Sequence, residues 1–579
     1  MLLGVASIAL ACAGGSGSKG GSGKVADTTQ FPSPEQLEEL GSTPPPARLS
    51  VLDVRPVDSW ELAGHFPERI AVEPWSDAGS PWSSLLDEAA RKRVGLVVPT
   101  QAMHCVAREL GRFFLAHGGQ PTTSLRQFIT SRCNASVAQI GFQYVEGELS
   151  PELGEAELFS HWKPAVADAI QRGLRGGPQT AGIWFGREGP RSVAMVAFGR
   201  RELHLEPLAP ASLRDGILEL RGETLGPGDA VQGLVNHGRF GVRECEQVDG
   251  ATPPSFHLRC RVDPDDDSTL VSVSIHPPAR LLGRSGLVVL AWPGGRTTAV
   301  YRRPIYAESW PMLDDQNFAE GFVELLNRVR KEAGLDPLLL DPRQSETATE
   351  LAPHFFASAY GQSDELVAEV IVLGLLAGWT VDGIVQMGHF ASAWSLRTTD
   401  LSDLLATALE FPSGRETLFA EDVQRIAIGP LLTTEEGHES VAGVFATYSM
   451  FSEKSHDAMA RRVIEKLEAE RKRRGVGPPE RISDVSSLCQ RVASSVQAGV
   501  EPRDALDGLL QQSVDLLQRP VAGWIAEVSE IESLEFPEEY LLRPSMGIAV
   551  AVSHRRPKGD AWGRYVVMLV IADPESHGI

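Results

Sequence analysis

Residues 317–357 carry the clearest hydrophobic pattern in the chain, and they predict two helices joined by a tight turn. In the first helix, apolar residues recur at the i, i+3, i+4 and i+7 spacing of one helix face: Phe322, Leu325, Leu326 and Val329. Gly334 can close that helix, and Pro337 prevents its continuation. The apolar face of the second helix comprises Ala348, Leu351, Ala352 and Phe355, and its two small alanines would let that face lie close to a neighbour. Taken alone, the segment is an αα-hairpin.

This hairpin also contains a specific set of residues: Leu326, Asn327, Arg330, Gly334, Leu335, Pro337 and Leu338. Three further segments follow it: Phe411–Leu418, Arg425–Gly429 and Val441–Phe451. Together they resemble bacterial members of the CAP superfamily, which contains the cysteine-rich secretory proteins, antigen 5 and the pathogenesis-related-1 proteins. The resemblance implies an α-β-α sandwich, which we place at residues 304–455.

The hairpin pattern occurs a second time further along the chain. Residues 463–496, moved back by 141 positions, fall on 322–355 without a gap. The move aligns the marker residues in pairs: Arg471 with Arg330, Gly475 with Gly334, Pro478 with Pro337, Cys489 with Ala348 and Ala493 with Ala352. A match in both pattern and length indicates a duplicated unit. We therefore predict a degenerate CAP-like domain at residues 456–579.

Residues 49–208 show a similar order of elements without the motifs. A helix with one apolar face, within residues 100–119, is followed by two more helices and a strand pair: residues 123–132, 162–174, 180–185 and 192–198. We predict another degenerate CAP-like domain here. The stretch Leu52–Ile70 is also similar to the start of a rhodanese. However, Cys105 lies in a helical pattern, whereas a rhodanese thiolate sits on a loop directly after a buried strand.

Residues 209–303 change from helical to strand periodicity. Apolar residues alternate with polar ones in two runs: Phe256, Leu258, Cys260 and Val262, then Val271, Val273 and Ile275. The pattern predicts an immunoglobulin-like β-sandwich. The acidic run Asp263–Asp267 lacks the spacing of a calcium loop, so we expect no calcium there. The whole chain is thus predicted to be a multidomain α+β protein.

The N-terminal segment, residues 1–48, predicts export and a lipid anchor. Met1–Ala11 is apolar but too short to span a bilayer as a stable helix. It runs into Cys12 through small residues, an arrangement that resembles a bacterial lipobox with an acylated cysteine. Residues 13–23 read as a flexible tether, and the linker continues to residue 48. Because no Lys or Arg leads the apolar run, an uncleaved disordered tail stays open as the alternative.

The other five cysteines fit an exported protein with two local disulfides and one buried thiol. The expected pairs are Cys105 with Cys133 and Cys245 with Cys260. In a cytosolic protein all five would instead be reduced. The cell envelope, at the outer membrane or the cell surface, is therefore the expected location.

Many CAP relatives hold a divalent metal in a cleft of two histidines and two glutamates. This sequence retains the site of the CAP relatives only in part, because the position of one metal-binding histidine is Gly414. The candidate cleft residues that remain are Glu365, Glu369, Arg415 and Glu416. The nearby His354 and His389 are better read as surface or core residues. We predict no catalytic residue, no metal and no cofactor.

Other catalytic patterns are missing from the sequence, including G-x-S-x-G, H-E-x-x-H, the P-loop and C-x-x-C. His104 and Cys105 are adjacent in a helix and so point about 100° apart, which argues against a dyad. The net charge of −22 argues against a nucleic-acid partner.

These patterns predict a non-catalytic binding or scaffolding lipoprotein. Its expected partners are the membrane, through the anchor, and an envelope protein, polysaccharide or lipid. Two alternatives remain open at this stage. One is an envelope hydrolase that uses the central cleft, and the other is a protein that captures a small apolar ligand or lipid.

Overall fold

The computed structural model describes residues 30–573 except for these stretches: 45–53, 65, 76–79, 94–95, 138–139, 149–151, 175–176, 212, 214, 227–229, 265–266, 278–279, 296, 304–308, 312–316, 360–361, 436, 452–455 and 559. The predicted signal, Cys12 and the tether lie outside the described residues. The chain divides into two compact units. The first comprises Met1–Leu376 with His389–Thr447, and the second Ala377–Gly388 with Tyr448–Ile579. Helices and separate small sheets alternate along both, so the protein is an α+β multidomain chain.

The N-terminal part of the first compact unit is a sheet between two helical layers. Its elements are α1 (Pro34–Ser42), β1 (Val54–Arg55), β2 (Ser59–Glu61), α2 (Pro81–Arg91), β3 (Val97–Pro99), α3 (Gln101–His117), β4 (Gln120–Pro121), α4 (Thr123–Arg132), β5 (Ile140–Glu148), α5 (Glu155–Gly173), β6 (Gln179–Glu188), β7 (Arg191–Arg200) and β8 (Leu203–Leu205). The strand order is β3-β6-β7-β5, with β3 and β6 parallel. Alternate residues of β7 face opposite cores: Val193 and Met195 pack with α3, while Ala194 and Val196 pack with α2 and α5.

Helix α1 lies where the sequence predicts a linker. Ser33 and Gln36 form a reciprocal capping box, and Pro34 occupies the first turn. The buried Leu37 packs against Gly374, where a Cβ would overlap the leucine side chain. A nine-residue helix is marginal in isolation, so this packing explains a helix that local pattern alone does not predict.

The next part consists of two antiparallel sheets with one core between them. The strands are β9 (Ile217–Thr224), β10 (Ala230–His237), β11 (Gly241–Glu244), β12 (Glu246–Gln247), β13 (Ser255–Arg261), β14 (Thr269–His276) and β15 (Arg284–Ala291), together with β8. The next strand, β16 (Val300–Arg302), pairs with β2 instead. One sheet has the order β12-β13-β9-β8 and the other β11-β10-β14-β15. The predicted alternation is confirmed in β13, because Phe256, Leu258 and Cys260 are all buried in this core.

The central part repeats the helix-and-sheet arrangement. Its elements are α6 (Phe318–Glu332), β17 (Leu339–Leu340), α7 (Pro342–Ala359), α8 (Glu365–Ala377), β18 (Val385–Ser395), α9 (Leu401–Leu409), α10 (Pro412–Phe419), β19 (Arg425–Glu435) and β20 (His438–Met450). The sheet order is β17-β19-β20-β18, with β17 and β19 parallel. The predicted hairpin is confirmed, because its apolar faces are buried and Gly334 adopts a positive φ of 77°.

The second compact unit contains α11 (His456–Arg473), β21 (Glu480–Arg481), α12 (Ser486–Gln497), α13 (Pro502–Leu517), β22 (Val521–Val528), α14 (Glu538–Leu542), β23 (Gly547–Arg555) and β24 (Arg564–Ala572). Its sheet has the order β21-β23-β24-β22, with β21 and β23 parallel. All three helix-flanked sheets therefore place their short first strand beside the third, and the second strand at the far edge.

Two buried arginines make matching contacts in α6 and α11. Arg330 is fully buried and donates from its three nitrogens to the carbonyls of Asp336, Leu418 and Ala420. Arg471, also fully buried, donates to the carbonyls of Gly477, Tyr540 and Arg543. In each case the guanidinium ties the helix to the turn six residues ahead and to a distant segment. The donor groups of both buried guanidinium groups are thereby satisfied by backbone oxygens.

Both predicted disulfides are present. Cys105–Cys133 joins α3 to the end of α4, and Cys245–Cys260 lies in the core between the antiparallel sheets. Cys489 in α12 is a buried free thiol, as the cysteine count predicts. None of the described helices combines the length and apolar character needed to cross a bilayer.

Candidate functional site

The segment that resembles the CAP histidine motif forms helix α10, and its geometry leaves no room for a side chain at Gly414. A Cβ built there would overlap the carbonyl oxygen of Ala408, a backbone atom at the end of α9. Backbone cannot move aside as a flexible side chain can. The position therefore excludes a histidine unless α9 and α10 are rearranged.

Arg415, a predicted cleft residue, is used to join α10 to the antiparallel sheets. Its Nε donates to the Leu409 carbonyl at 2.8 Å, and its Nη1 donates to the carbonyls of Gly238 and Gly241 at 3.0 and 3.2 Å. Phe419 stacks on Phe240 beside this contact, with ring centroids 4.8 Å apart. The guanidinium thus binds the β10–β11 turn.

Glu416 lies in the same contact. Burial raises the pKa of its carboxyl to about 7, and the nearby negative charge of Glu244 acts in the same direction. Near neutral pH this carboxyl is therefore present in both protonation states. A proton on Glu416 removes its repulsion with Glu244 across the contact.

The other two predicted cleft residues lie on α8. Glu369 is buried and forms an ion pair with Arg280, which lies between β14 and β15. The side chain of Glu365 lies outside the described residues. Glu369 and Arg415 thus have separate partners on the antiparallel sheets, and the structure gives no contact that would unite them in one site.

Burial shifts the pKa of both nearby histidines. Burial lowers the pKa of His354, opposed by a backbone hydrogen bond at Thr43 next to α1. Burial likewise lowers the pKa of His389, opposed by the charge of Asp422. Among the described residues, no group of three or more His, Cys, Asp or Glu side chains is arranged to hold a metal ion.

A polar cavity of about 40 Å³ lies where α4, β16, β18 and α9 meet. We call seven of its polar lining residues the Tyr301 cluster: Thr122, Ser124, Tyr301, Arg303, Ser395, Asp403 and Glu410. Arg303 pairs with Asp403, and the Ser395 hydroxyl also donates to Asp403. The cavity suits water rather than a substrate-sized molecule.

Two carboxyls of the Tyr301 cluster have unusual protonation. Burial raises the pKa of Glu410 to about 7, although Ser124 and Arg303 favour its charged form. Burial also raises the pKa of Asp403, and Arg303 opposes this effect. Tyr301 stays protonated because burial raises the pKa of its hydroxyl. One arginine, Arg303, therefore lowers the pKa of two carboxyls that burial raises. The charge of Glu410 changes near neutral pH, at a place where separate segments of the chain meet.

Sequence reasoning did not identify Glu410. It directly precedes Phe411-Pro412 and follows the apolar end of α9, and an acidic residue there was the only available signal. The pairing with Tyr301 and Ser124 brings together positions more than a hundred residues apart. No local pattern predicts that.

His104 and Cys105 do not form a reactive pair. Cys105 is in a disulfide, and burial lowers the pKa of His104 to about 3, so the imidazole is neutral. His104 Nδ1 lies within hydrogen-bonding distance of the Ile183 backbone. These residues stabilise the packing of α3 on β6.

Comparison with known proteins gives little that bears on function. No protein-family profile matches the chain, and no curated protein matches it. Among solved structures, a cysteine-rich secretory protein from Staphylococcus aureus is similar at 12% identity, covering 46% of this chain and 85% of that one, with a TM-score of 0.18.

Proposed function

We propose that this protein is a non-catalytic binding or scaffolding component of the bacterial cell envelope. In this proposal three CAP-like units and an immunoglobulin-like sandwich form its body, and acylated Cys12 anchors it. Two observations support the fold part. The three helix-flanked sheets share one strand order, and Arg330 and Arg471 make equivalent contacts at equivalent positions.

The close packing around α10 is the observation that supports the functional part of the proposal. At Gly414 there is no space for the metal-binding histidine of CAP relatives. Arg415 donates hydrogen bonds to the β10–β11 turn. Glu416 faces Glu244 at the same place. The region that serves as a cleft in those relatives is an internal contact in this chain, so it supports scaffolding better than catalysis.

Metal analysis of the full-length protein tests this proposal against the hydrolase alternative. We expect no stoichiometric metal after purification without chelator. We also expect no change in melting temperature on adding zinc, calcium or EDTA. One equivalent of tightly bound metal with a chelator-sensitive melting temperature would refute the non-catalytic proposal. The Glu369→Gln variant would then identify whether that carboxylate is a ligand.

The anchoring part is tested in cells with the Cys12→Ser variant. We expect the wild type to incorporate an alkyne-labelled fatty acid and to sediment with membranes, because an acyl chain partitions into the bilayer. The variant should lose both properties. A matched Cys489→Ser variant, altered at a buried thiol, should retain them. Wild-type protein that incorporates no fatty-acid label would refute the proposal of a lipid anchor.

A further inference from the structure

The second compact unit contains a cavity of about 260 Å³ between α11, α12 and β23. Its floor is apolar and buried, and includes Ile464, Cys489, Ile548 and Val550. Burial raises the pKa of the Cys489 thiol to about 12, so the thiol is uncharged at physiological pH. The floor therefore presents a neutral apolar surface.

The strand that lines this cavity differs from its counterpart in the central part of the chain. There, a Cβ on Gly429 of β19 would overlap the carbonyl of Ala348, so α7 lies directly on the strand. In the second unit Cys489 replaces Ala348, and residues 548–552 of β23 contain no glycine. The positions that face this cavity therefore have larger side chains than the Ala348–Gly429 contact.

Charged side chains of both signs surround the opening. The Asp457 carboxylate accepts from Gln490 Nε2 at 2.8 and 2.9 Å, which holds it at the rim. Arg461 donates through Nε to the Asp457 carbonyl at 3.4 Å. Arg481 lies on the same rim, and its Nη2 is 3.7 Å from Glu468. The rim can thus bind an ammonium and a carboxylate at once.

We infer that this cavity binds a free amino acid with an apolar side chain. Asp457 would bind its ammonium and Arg461 its carboxylate, while the side chain would lie between Ile464, Ile548 and Val550. The volume is below the roughly 300–1,000 Å³ of pockets that hold drug-sized ligands, which favours a molecule of this size over a sterol or long lipid. Charge-assisted hydrogen bonds at both ends would set the orientation.

Isothermal titration of the full-length protein with L-leucine tests the inference. We expect one site per chain. The affinity should fall by about tenfold or more when either charged end is missing, because each end makes charge-assisted bonds. 4-Methylpentanoate lacks the ammonium, 3-methylbutylamine lacks the carboxylate, and glycine lacks the apolar body. All three should bind more weakly than leucine.

Rim variants locate the site. Arg461→Gln and Asp457→Asn should each weaken leucine binding by about tenfold or more. Arg462→Gln is the matched control, because Arg462 is next in sequence but pairs with Glu532 and does not line the cavity. Its affinity should equal that of the wild type. A melting temperature measured for every variant separates lost binding from lost folding.

Three results would overturn the inference. They are no leucine binding at millimolar concentration, unchanged binding by folded Arg461→Gln, and equal binding of 4-methylpentanoate and leucine. The inference does not depend on the metal content of the protein or on Cys12. Failure of leucine binding would therefore leave the scaffolding proposal intact. Failure of the scaffolding proposal would likewise leave the amino-acid site intact.

Discussion

Replacing Glu410 by glutamine should make the first compact unit more stable at alkaline pH, and this advantage should shrink as the pH falls towards 4.5. Glutamine has the shape of glutamate and can keep the bond to Ser124, but it does not ionise. At pH 8 Glu410 is ionised in the wild type, and it shares the single cation of Arg303 with the neighbouring Asp403. The variant removes the Glu410 charge, which burial disfavours.

The magnitude follows from proton linkage. The pKa of Glu410 rises from its ordinary value of 4.5 to about 7 on folding, so the folded state binds the proton more tightly than the unfolded state. The wild type therefore loses stability as the pH rises from about 4.5 to about 7. At about 1.4 kcal/mol for each pKa unit, the full effect is roughly 3 kcal/mol. That is the largest advantage expected for the variant at pH 8.

Differential scanning calorimetry of full-length wild type and variant at pH 5, 6, 7 and 8 measures the effect. Calorimetry suits a chain with two compact units, because separate units need not unfold in one transition. Buried neutral histidines such as His104 destabilise both proteins in acid, and this contribution cancels in the difference. Glu532→Gln, in the second unit, is the control. An equal difference between variant and wild type at pH 5 and pH 8 would refute the reasoning.

The remaining predictions concern packing. Arg330→Met and Arg471→Met should each lower the free energy of unfolding by roughly 1.5–3 kcal/mol, because each removes a buried guanidinium that donates to three carbonyls, one of them on a buried residue, Leu418 or Tyr540. Calorimetry should show the loss in a different transition for each variant, and a loss below about 1 kcal/mol would contradict the role given to these arginines. Gly414→Ala should destabilise the first unit by roughly 1–3 kcal/mol, because its Cβ would overlap the Ala408 carbonyl. Gly437→Ala is the control: a Cβ there meets open space, so this variant should show only the smaller cost of its positive φ. Equal melting temperatures for Gly414→Ala and wild type would show that α10 can shift to admit a side chain.

The sequence by itself determined the features that repeat within a short window. The 3.6-residue period predicted α6, α7, α11 and α12, and the period of two predicted the antiparallel strands, because burying one face imposes that spacing. The 141-residue register paired Arg330 with Arg471, whose contacts match. Cysteine spacing identified both disulfides.

Only the tertiary structure decided the character of the candidate sites. Arg415 looked like a cleft residue, yet its Nη1 donates to two carbonyls more than 170 positions away. Glu410 gave almost no local signal, because its protonation depends on burial beside Tyr301 and Ser124. Helix α1 forms where a linker was predicted, because Leu37 packs against Gly374. In each case the free energy comes from contacts between distant segments, which no local pattern of residues records.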